Sequence, residues 1–304
     1  MNDLEKAREK WDSIDITKVR SVSWLSVPGI GAHAANSFTE NGDIVKACHE
    51  LLLKRGSPEE GLCGGALVCG DMVGEKSFFK SDYGVKFDKV FGFDLSPESL
   101  KRAVQNTSGS PFKFNPVKAD CNKLDLAPQS FDFLIGLHGV HHIYELEDFF
   151  SVCAQALKPH GVLFLNEWIG PNYLQYPISN KIISTILLNA CVWPLSRRRD
   201  HLGVFRTVCR QLPPEAFDPS EACNSKNLIK YLENHFNIIK RHDYGSLNYL
   251  IFEGLGQNFP SNPTFYTSTI TLLSLKLEQI LQNMRLVQPL FTYAMCVPII
   301  QELI

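Results

Sequence analysis

The sequence predicts an α/β fold: a seven-stranded, mostly parallel sheet with helices on both faces. Three features carry that prediction. From about residue 60 onward, short apolar runs alternate with amphipathic helical stretches, the pattern of buried strands joined by crossover helices. The helical stretches begin with good start signals, the clearest being Ser96-Pro97-Glu98, an N-cap serine followed by proline at the first helical position. The 304 residues are 44% hydrophobic and 20% charged, which supplies a globular core and excludes disordered, collagen-like and coiled-coil chains.

The elements follow in order. Residues 1–60 read as helices broken at Pro28-Gly29, with Trp24, Leu25 and the run Ile44 to Leu53 as apolar positions. Ala66 to Cys69 is the first strand and Lys89 to Phe93 the second. Phe112 to Ala119, Phe131 to Leu137 and Val162 to Glu167 are the third, fourth and fifth. A helix from Leu146 to Leu157 precedes the last of these, ending in a turn at Lys158-Pro159-His160-Gly161. Tyr173 to Leu195 reads as an apolar helix and Arg197-Arg198-Arg199 as the start of a polar loop. Ser225 to Asn234 is a helix, Phe236 to Arg241 a sixth strand and Leu290 to Val297 a seventh. Leu247 to Met284 is helical in pieces, interrupted around Pro260 and Pro263. The expected organisation is an N-terminal helical extension, 1–60, and a core, 61–304, with a helical cap inserted at about 171–222.

Thirty Lys and Arg against 32 Asp and Glu give a net charge of -2, so no overall positive field is present to hold nucleic acid. The nine cysteines are scattered with no CxxC pair, so neither a zinc cage nor a disulfide framework is expected, and reduced thiols fit a cytoplasmic protein. The N-terminus MNDLEKAREKWDS is charged where a signal peptide would need an apolar run, so none is expected. The most apolar stretch, Ile182 to Leu195, contains Asn189 and Pro194 and falls short of a bilayer span. Neither nucleic acid nor a membrane is expected as a partner, and a homo-oligomer is left open.

Chemistry is expected at the carboxyl ends of the first four strands, where open α/β sheets bind ligands. Strand one runs into Cys69-Gly70-Asp71-Met72-Val73-Gly74-Glu75. Its glycines permit a tight turn and close approach to a ligand, although a bare loop accounts for them equally well. Asp94 ends strand two at a spacing that suits an acid gripping ribose hydroxyls. Ser96 already fits the helix cap, which weakens the plainer capping role for Asp94. Asp120, in Ala119-Asp120-Cys121-Asn122, is a third strand-end acid, and on its own a turn aspartate.

Together with Phe131-Asp132-Phe133-Leu134-Ile135-Gly136, His141-His142-Ile143 and Ala156-Leu157-Lys158-Pro159-His160-Gly161, these features resemble the class I S-adenosylmethionine-dependent methyltransferases, a Rossmann-like family. Leu165 to Asn172 and Asp218-Pro219-Ser220-Glu221-Ala222 look like segments of a bacterial small-molecule branch, whose acceptors include natural-product intermediates. The resemblance runs from about Trp24 to Pro298. The family's GxGxG is reduced to Gly70-Asp71-Met72-Val73-Gly74 or, in the other register, Val68 to Met72. His160 stands where the family writes glycine.

The resemblance implies S-adenosyl-L-methionine as cofactor and S-adenosyl-L-homocysteine as product. It places Gly70, Asp71 and Gly74 by the methionine and ribose, Asp94 on the ribose hydroxyls, and Leu95 near the adenine. Asp120 would accept from the adenine amino group with Cys121 beside the ring, and Leu137 and His138 would border the sulfonium. Candidate proton acceptors are His138, His141, His142 and Glu167, with capping or packing as the plainer role of the two adjacent histidines and a structural hydrogen bond as that of Glu167. No third ligand at metal spacing accompanies the histidines, so no metal is expected. Arg197, Arg198, Arg199, His201, Arg206 and Arg210 form either a solvated loop or an anion-recognising rim. Trp24, Trp168, Tyr173, Tyr176 and Tyr244 either wall a pocket or pack the core. DPPY or NPPY, the acidic set of magnesium-dependent catechol enzymes and the paired glutamates of arginine methylation are missing. Three readings remain: a methyltransferase with an O, N or C acceptor, a non-catalytic cofactor-binding or partner-binding protein, and a nicotinamide enzyme disfavoured by the missing GxGxxG. Residues 1–60 and the helices after 170 are expected to cover the cleft, with a core that folds without residues 1–40.

Overall fold

Strands β1 (Leu62–Leu67) and β4 (Phe131–Leu137) are buried along almost their whole length, as strands covered on both faces must be. They lie side by side at the centre of a seven-stranded sheet in the order β3-β2-β1-β4-β5-β7-β6. The other strands are β2 (Phe87–Asp94), β3 (Lys113–Lys118), β5 (Leu157–Trp168), β6 (Phe236–Tyr244) and β7 (Phe291–Pro298). The pairings among β1 to β5 are parallel, and β7 runs antiparallel to both β5 and β6. The chain is described by a computed structural model at residues 3–13, 23–80, 83–190, 197–200, 203–209, 211, 213–214, 219–259 and 264–299.

Before the sheet come α1 (Asp3–Ser13), α2 (Ile30–Phe38) and α3 (Ile44–Lys54). Between the first five strands lie α4 (Lys76–Lys80), α5 (Pro97–Thr107) and α6 (Leu146–Ala156). α5 starts as its sequence dictates: Pro97 is at the first turn and the Ser96 hydroxyl accepts from Ser99 N at 3.0 Å. After β5 come α7 (Ile178–Ala190) and α8 (Leu228–His235), and between β6 and β7 lie α9 (Leu247–Phe252) and α10 (Phe265–Asn283). α9 is buried throughout because α7 and α10 both pack against it. Residues 260–263, which carry the expected interruption at Pro260 and Pro263, lie outside the described residues, as do 191–196.

Two expectations change. Lys158 to Gly161 is not a turn that ends a helix; it lies inside β5. Phe131 pairs with Leu157 but Phe133 with Val162, so these residues form a bulge. The cause is Asp132, fully buried. Its carboxylate accepts from Lys158 Nζ at 2.8 and 2.9 Å and from Cys63 N at 2.8 Å, and its Oδ1 lies 2.7 Å from His160 Nε2. The N-terminal segment is also less separable than expected. Trp24, Val27, Ile30, Ala34 and Phe38 are each at most 4% exposed and belong to the core on one face of the sheet. Among the described residues, only α1 lies ahead of that packed segment.

Candidate active site

The strand order reverses between β1 and β4, where open α/β sheets form their ligand crevice. A cleft of about 640 Å³ opens there, within the size range of small-molecule sites. Gly70, Asp71, Gly74, Asp94, Leu95, Asp120, Cys121, Leu137 and His138 all line it. Residues separated by up to about 70 positions in sequence thus meet at one sheet edge.

The β1 loop compensates for its missing glycines by strain. Val68, Gly70 and Met72 all take positive φ, at 48°, 51° and 60°, a region costly for a β-branched valine. A Cβ at Gly70 would meet nothing within 4 Å, so this glycine leaves its side of the cleft open. Its N–H donates to Asp94 Oδ2 at 2.8 Å, and Ser96 N donates to Oδ1 at 2.8 Å. Burial pushes the Asp94 carboxyl up, against the lowering effect of those two hydrogen bonds. Each carboxylate oxygen accepts two hydrogen bonds, so one more acceptor position per oxygen suits a pair of ribose hydroxyls. Asp120 serves its own turn with Oδ1, accepting from Asn122 N at 3.0 Å, and still borders the cleft.

The loop after β4 is folded around Glu167. That side chain is fully buried and does not face the cleft, contrary to expectation. Its Oε1 accepts from Gly139 N and Val140 N, both at 2.7 Å, and Oε2 lies 2.8 Å from His141 Nδ1. His138, at φ 54°, is held in the left-handed region by a bond from its N–H to Asn166 O at 2.8 Å. A Cβ at Gly139 would fall 2.8 Å from the Val68 carbonyl oxygen, so this turn requires glycine.

The four candidate proton acceptors separate. Tyr244 Oη donates to Asn166 Oδ1 at 2.6 Å, which turns the Asn166 amide nitrogen toward His138 Nε2 at 3.0 Å. Nε2 is then the acceptor and the ring proton sits on Nδ1. Burial lowers the His138 pKa, partly offset by Glu167. His141 does not line the cleft. Burial opposes its charged form, but hydrogen bonds to Glu167 and Glu221 outweigh that and push it up to about 10. Burial raises Glu221, yet the His141 hydrogen bond and nearby His142 and Lys10 bring it down to about 2. His142 lines the cleft, with Nδ1 3.0 Å from Ser220 Oγ. The third ligand-type group absent from the local spacing is thus supplied by Glu221, far along the chain.

The arginine rim is not formed by the described members of its stretch. Arg198 and Arg206 are buried; Arg198 donates to Asn189 Oδ1 and Arg206 to the carbonyls of Glu253 and Leu250. Arg199 bonds the Gly203 carbonyl. His201 and Arg210 lie outside the described residues, as does Asp218. The cleft takes its arginines from Arg8 and Arg102 instead. Trp24, Trp168, Tyr173, Tyr176 and Tyr244 do not line it either; Trp24, Tyr244, Trp168 and Tyr176 pack with Tyr249 and Phe291 in one aromatic cluster. The cleft's own tryptophan is Trp11 of α1, set edge-on to His142 at 5.5 Å. α1 is tied down by Ser96 Oγ donating to Asp12 Oδ1 at 2.5 Å. Sequence reading missed Arg8, Trp11 and Arg102; their only signal was an amphipathic stretch whose docking place was unknown.

Residues 69–165 match the family described as "Methyltransferase domain", and this segment holds the ends of β2, β3 and β4 at the cleft. This chain carries a class I S-adenosylmethionine-dependent methyltransferase domain. A ubiquinone biosynthesis O-methyltransferase of Sinorhizobium medicae is 26% identical over 118 residues, covering 37% of this chain and 43% of that protein. One from Bartonella bacilliformis is 25% identical over 103 residues, covering 34% and 37%. The chain therefore spans less than half the length of these relatives. The crystal structure of the [4+2]-cyclase SpnF shares the fold of the methyltransferase domain and its flanks, with a TM-score of 0.51 at 11% identity over 98% of this chain and 97% of that one. S-adenosylmethionine suits the cleft of the methyltransferase domain: Asp94 retains acceptor positions, Gly70 leaves space, and Leu95, Cys121 and Leu137 offer apolar walls. Among the described residues no helix is long and apolar enough to cross a membrane.

Proposed function

We propose that this protein is a methyltransferase that uses S-adenosylmethionine to methylate a small organic molecule. The observation that carries the reading is the convergence of Gly70, Asp94, Asp120, Leu137 and His138 on one cleft at the sheet's switch point. When bound, the cofactor supplies an activated methyl group, so the protein's task is placement and exclusion of water. In this reading Asp94 holds the ribose hydroxyls and Leu95 and Cys121 flank the adenine. Asp120 accepts from the adenine amino group, and Gly70, Asp71 and Gly74 accommodate the methionine portion. The relatives named as ubiquinone biosynthesis O-methyltransferases support oxygen as the acceptor atom.

His138 borders the methyl end of the cleft as a neutral ring whose Nε2 is engaged by Asn166. That occupation favours a role in orienting the acceptor over one in removing its proton. His138→Gln should then keep most of the turnover and His138→Ala lose at least tenfold, both with unchanged cofactor affinity; a glutamine variant as slow as alanine would restore the general-base role. The overall function is tested by calorimetry with S-adenosylmethionine, S-adenosylhomocysteine and NAD, followed by turnover on a panel of hydroxylated metabolites. Tight binding of the first two without turnover would favour a non-catalytic cofactor-binding protein, the reading motivated by the depleted glycine loop.

A further inference from the structure

His141, His142 and Glu221 are not used by the placement of the cofactor, yet they are built into one group. One ligand-type atom from each lies within 4.8 Å of the others. His141 Nε2 and Glu221 Oε1 are 3.5 Å apart. Donors held at about 2.0–2.2 Å around a tetrahedral ion stand about 3.4 Å from one another, so this pair already has the span of two ligands, and the His142 donor lies within 4.8 Å of both.

The support behind these donors is equally specific. His141 presents Nδ1 to Glu167 Oε2 at 2.8 Å, and Glu167 is itself fixed by the Gly139 and Val140 N–H groups. A histidine oriented through one nitrogen by a buried carboxylate, with the other nitrogen directed at further donors, is the usual setting of a metal ligand. His142 is braced by Ser220 Oγ and by the edge of Trp11. Lys10 Nζ lies 3.9 Å from Glu221 Oε2, the oxygen that does not face His141. Two imidazoles and one carboxylate match zinc or another divalent transition metal better than magnesium or calcium, which prefer all-oxygen shells. His142 and Ser220 line the cofactor cleft, so the open positions of an ion held here would adjoin the reacting end.

We propose that His141, His142 and Glu221 bind a divalent transition-metal ion, zinc by donor chemistry, beside the methyl-transfer cleft, and that the ion receives a hydroxyl oxygen of the acceptor. The metal site stands on its own geometry; the acceptor's place at it rests on the methyltransferase reading.

The test uses the full chain. After dialysis against excess Zn²⁺ and then metal-free buffer, elemental analysis should find one zinc per chain, and anomalous scattering at the zinc edge should place it between the three side chains. In calorimetric titration with Zn²⁺ alone, His142→Ala and Glu221→Gln should each weaken binding at least tenfold, while His242→Ala, remote from the group, leaves it unchanged. Glu221→Gln should still bind S-adenosylmethionine within about threefold of the parent, and both site variants should keep the parent's cooperative unfolding transition, which shows that they fold. Absence of stoichiometric zinc, or zinc binding that survives both variants, would overturn the proposal. Loss of cofactor binding with the zinc site intact would instead sink the methyltransferase reading.

Discussion

Two fully buried carboxylates, Asp132 and Glu167, make nearly the same contacts at opposite ends of the sheet. Each has a histidine nitrogen within 2.8 Å and accepts from backbone N–H as well. Asp132, at the start of β4, gathers Lys158 and His160 of the β5 bulge and ties the sheet together at the end away from the cleft. Glu167, near the end of β5, gathers the loop after β4 and aims His141 at Glu221. The chemistry of the carboxylate does not separate a staple from a positioning group; its place along the strand does. Only the carboxyl ends of parallel strands open onto the crevice.

The sharpest way to break this comparison is to remove both acids in turn. Asp132→Ala and Glu167→Ala should each destabilise the fold by about 3–5 kcal/mol, the cost of leaving buried partners uncompensated, read from denaturant midpoints. The difference should appear in the surviving folded protein. Asp132→Ala keeps cofactor affinity within about twofold, whereas Glu167→Ala loses at least tenfold in turnover because the loop at His138 to His142 relaxes. Equal functional losses in the two variants would erase the distinction.

Glu253 is a half-buried acid outside both groups. Burial pushes it up to about 7, against the lowering effects of the Trp24 N–H bond and the Arg206 charge. Between its ordinary value and 7 the folded chain holds a proton that the unfolded chain has lost, so stability falls as pH rises through that window and stays reduced above it. Glu253→Gln should abolish that slope and gain about 2–3 kcal/mol at pH 8. A parent protein with flat stability from pH 5 to 8 would show that the carboxyl titrates normally.

Asp94→Ala tests the cleft side of the comparison by removing a buried acid expected to meet cofactor directly. Cofactor affinity should fall by about 1.5–3 kcal/mol, the range for charge-assisted hydrogen bonds, as measured by calorimetry on folded protein. The smallest effect is expected from α1. Deleting residues 1–13 should leave the fold intact and weaken cofactor retention several-fold, since Arg8 and Trp11 line the cleft from one side. Deleting residues 1–40 should unfold the protein, because Trp24, Ile30 and Phe38 are core.

Sequence alone was enough to place the sheet and the strand-end residues that line the cleft. Strand β4 matches its expected limits, and Gly70, Asp94, Asp120 and Leu137 line the cleft, because hydrophobic periodicity fixes which segments become strands and strand ends carry the ligand. Tertiary structure alone decided the rest. Glu167 looked pocket-facing, yet local sequence cannot tell which side of a strand end meets a neighbouring loop. Glu221 and Trp11 reach His141 and His142 from distant parts of the chain. Arg198 and Arg206 became internal ties because Asn189 and the carbonyls of Leu250 and Glu253 lay within reach. Periodicity reports burial along one element, whereas a site assembled from several elements depends on how their faces dock, and that is set only when the whole core packs.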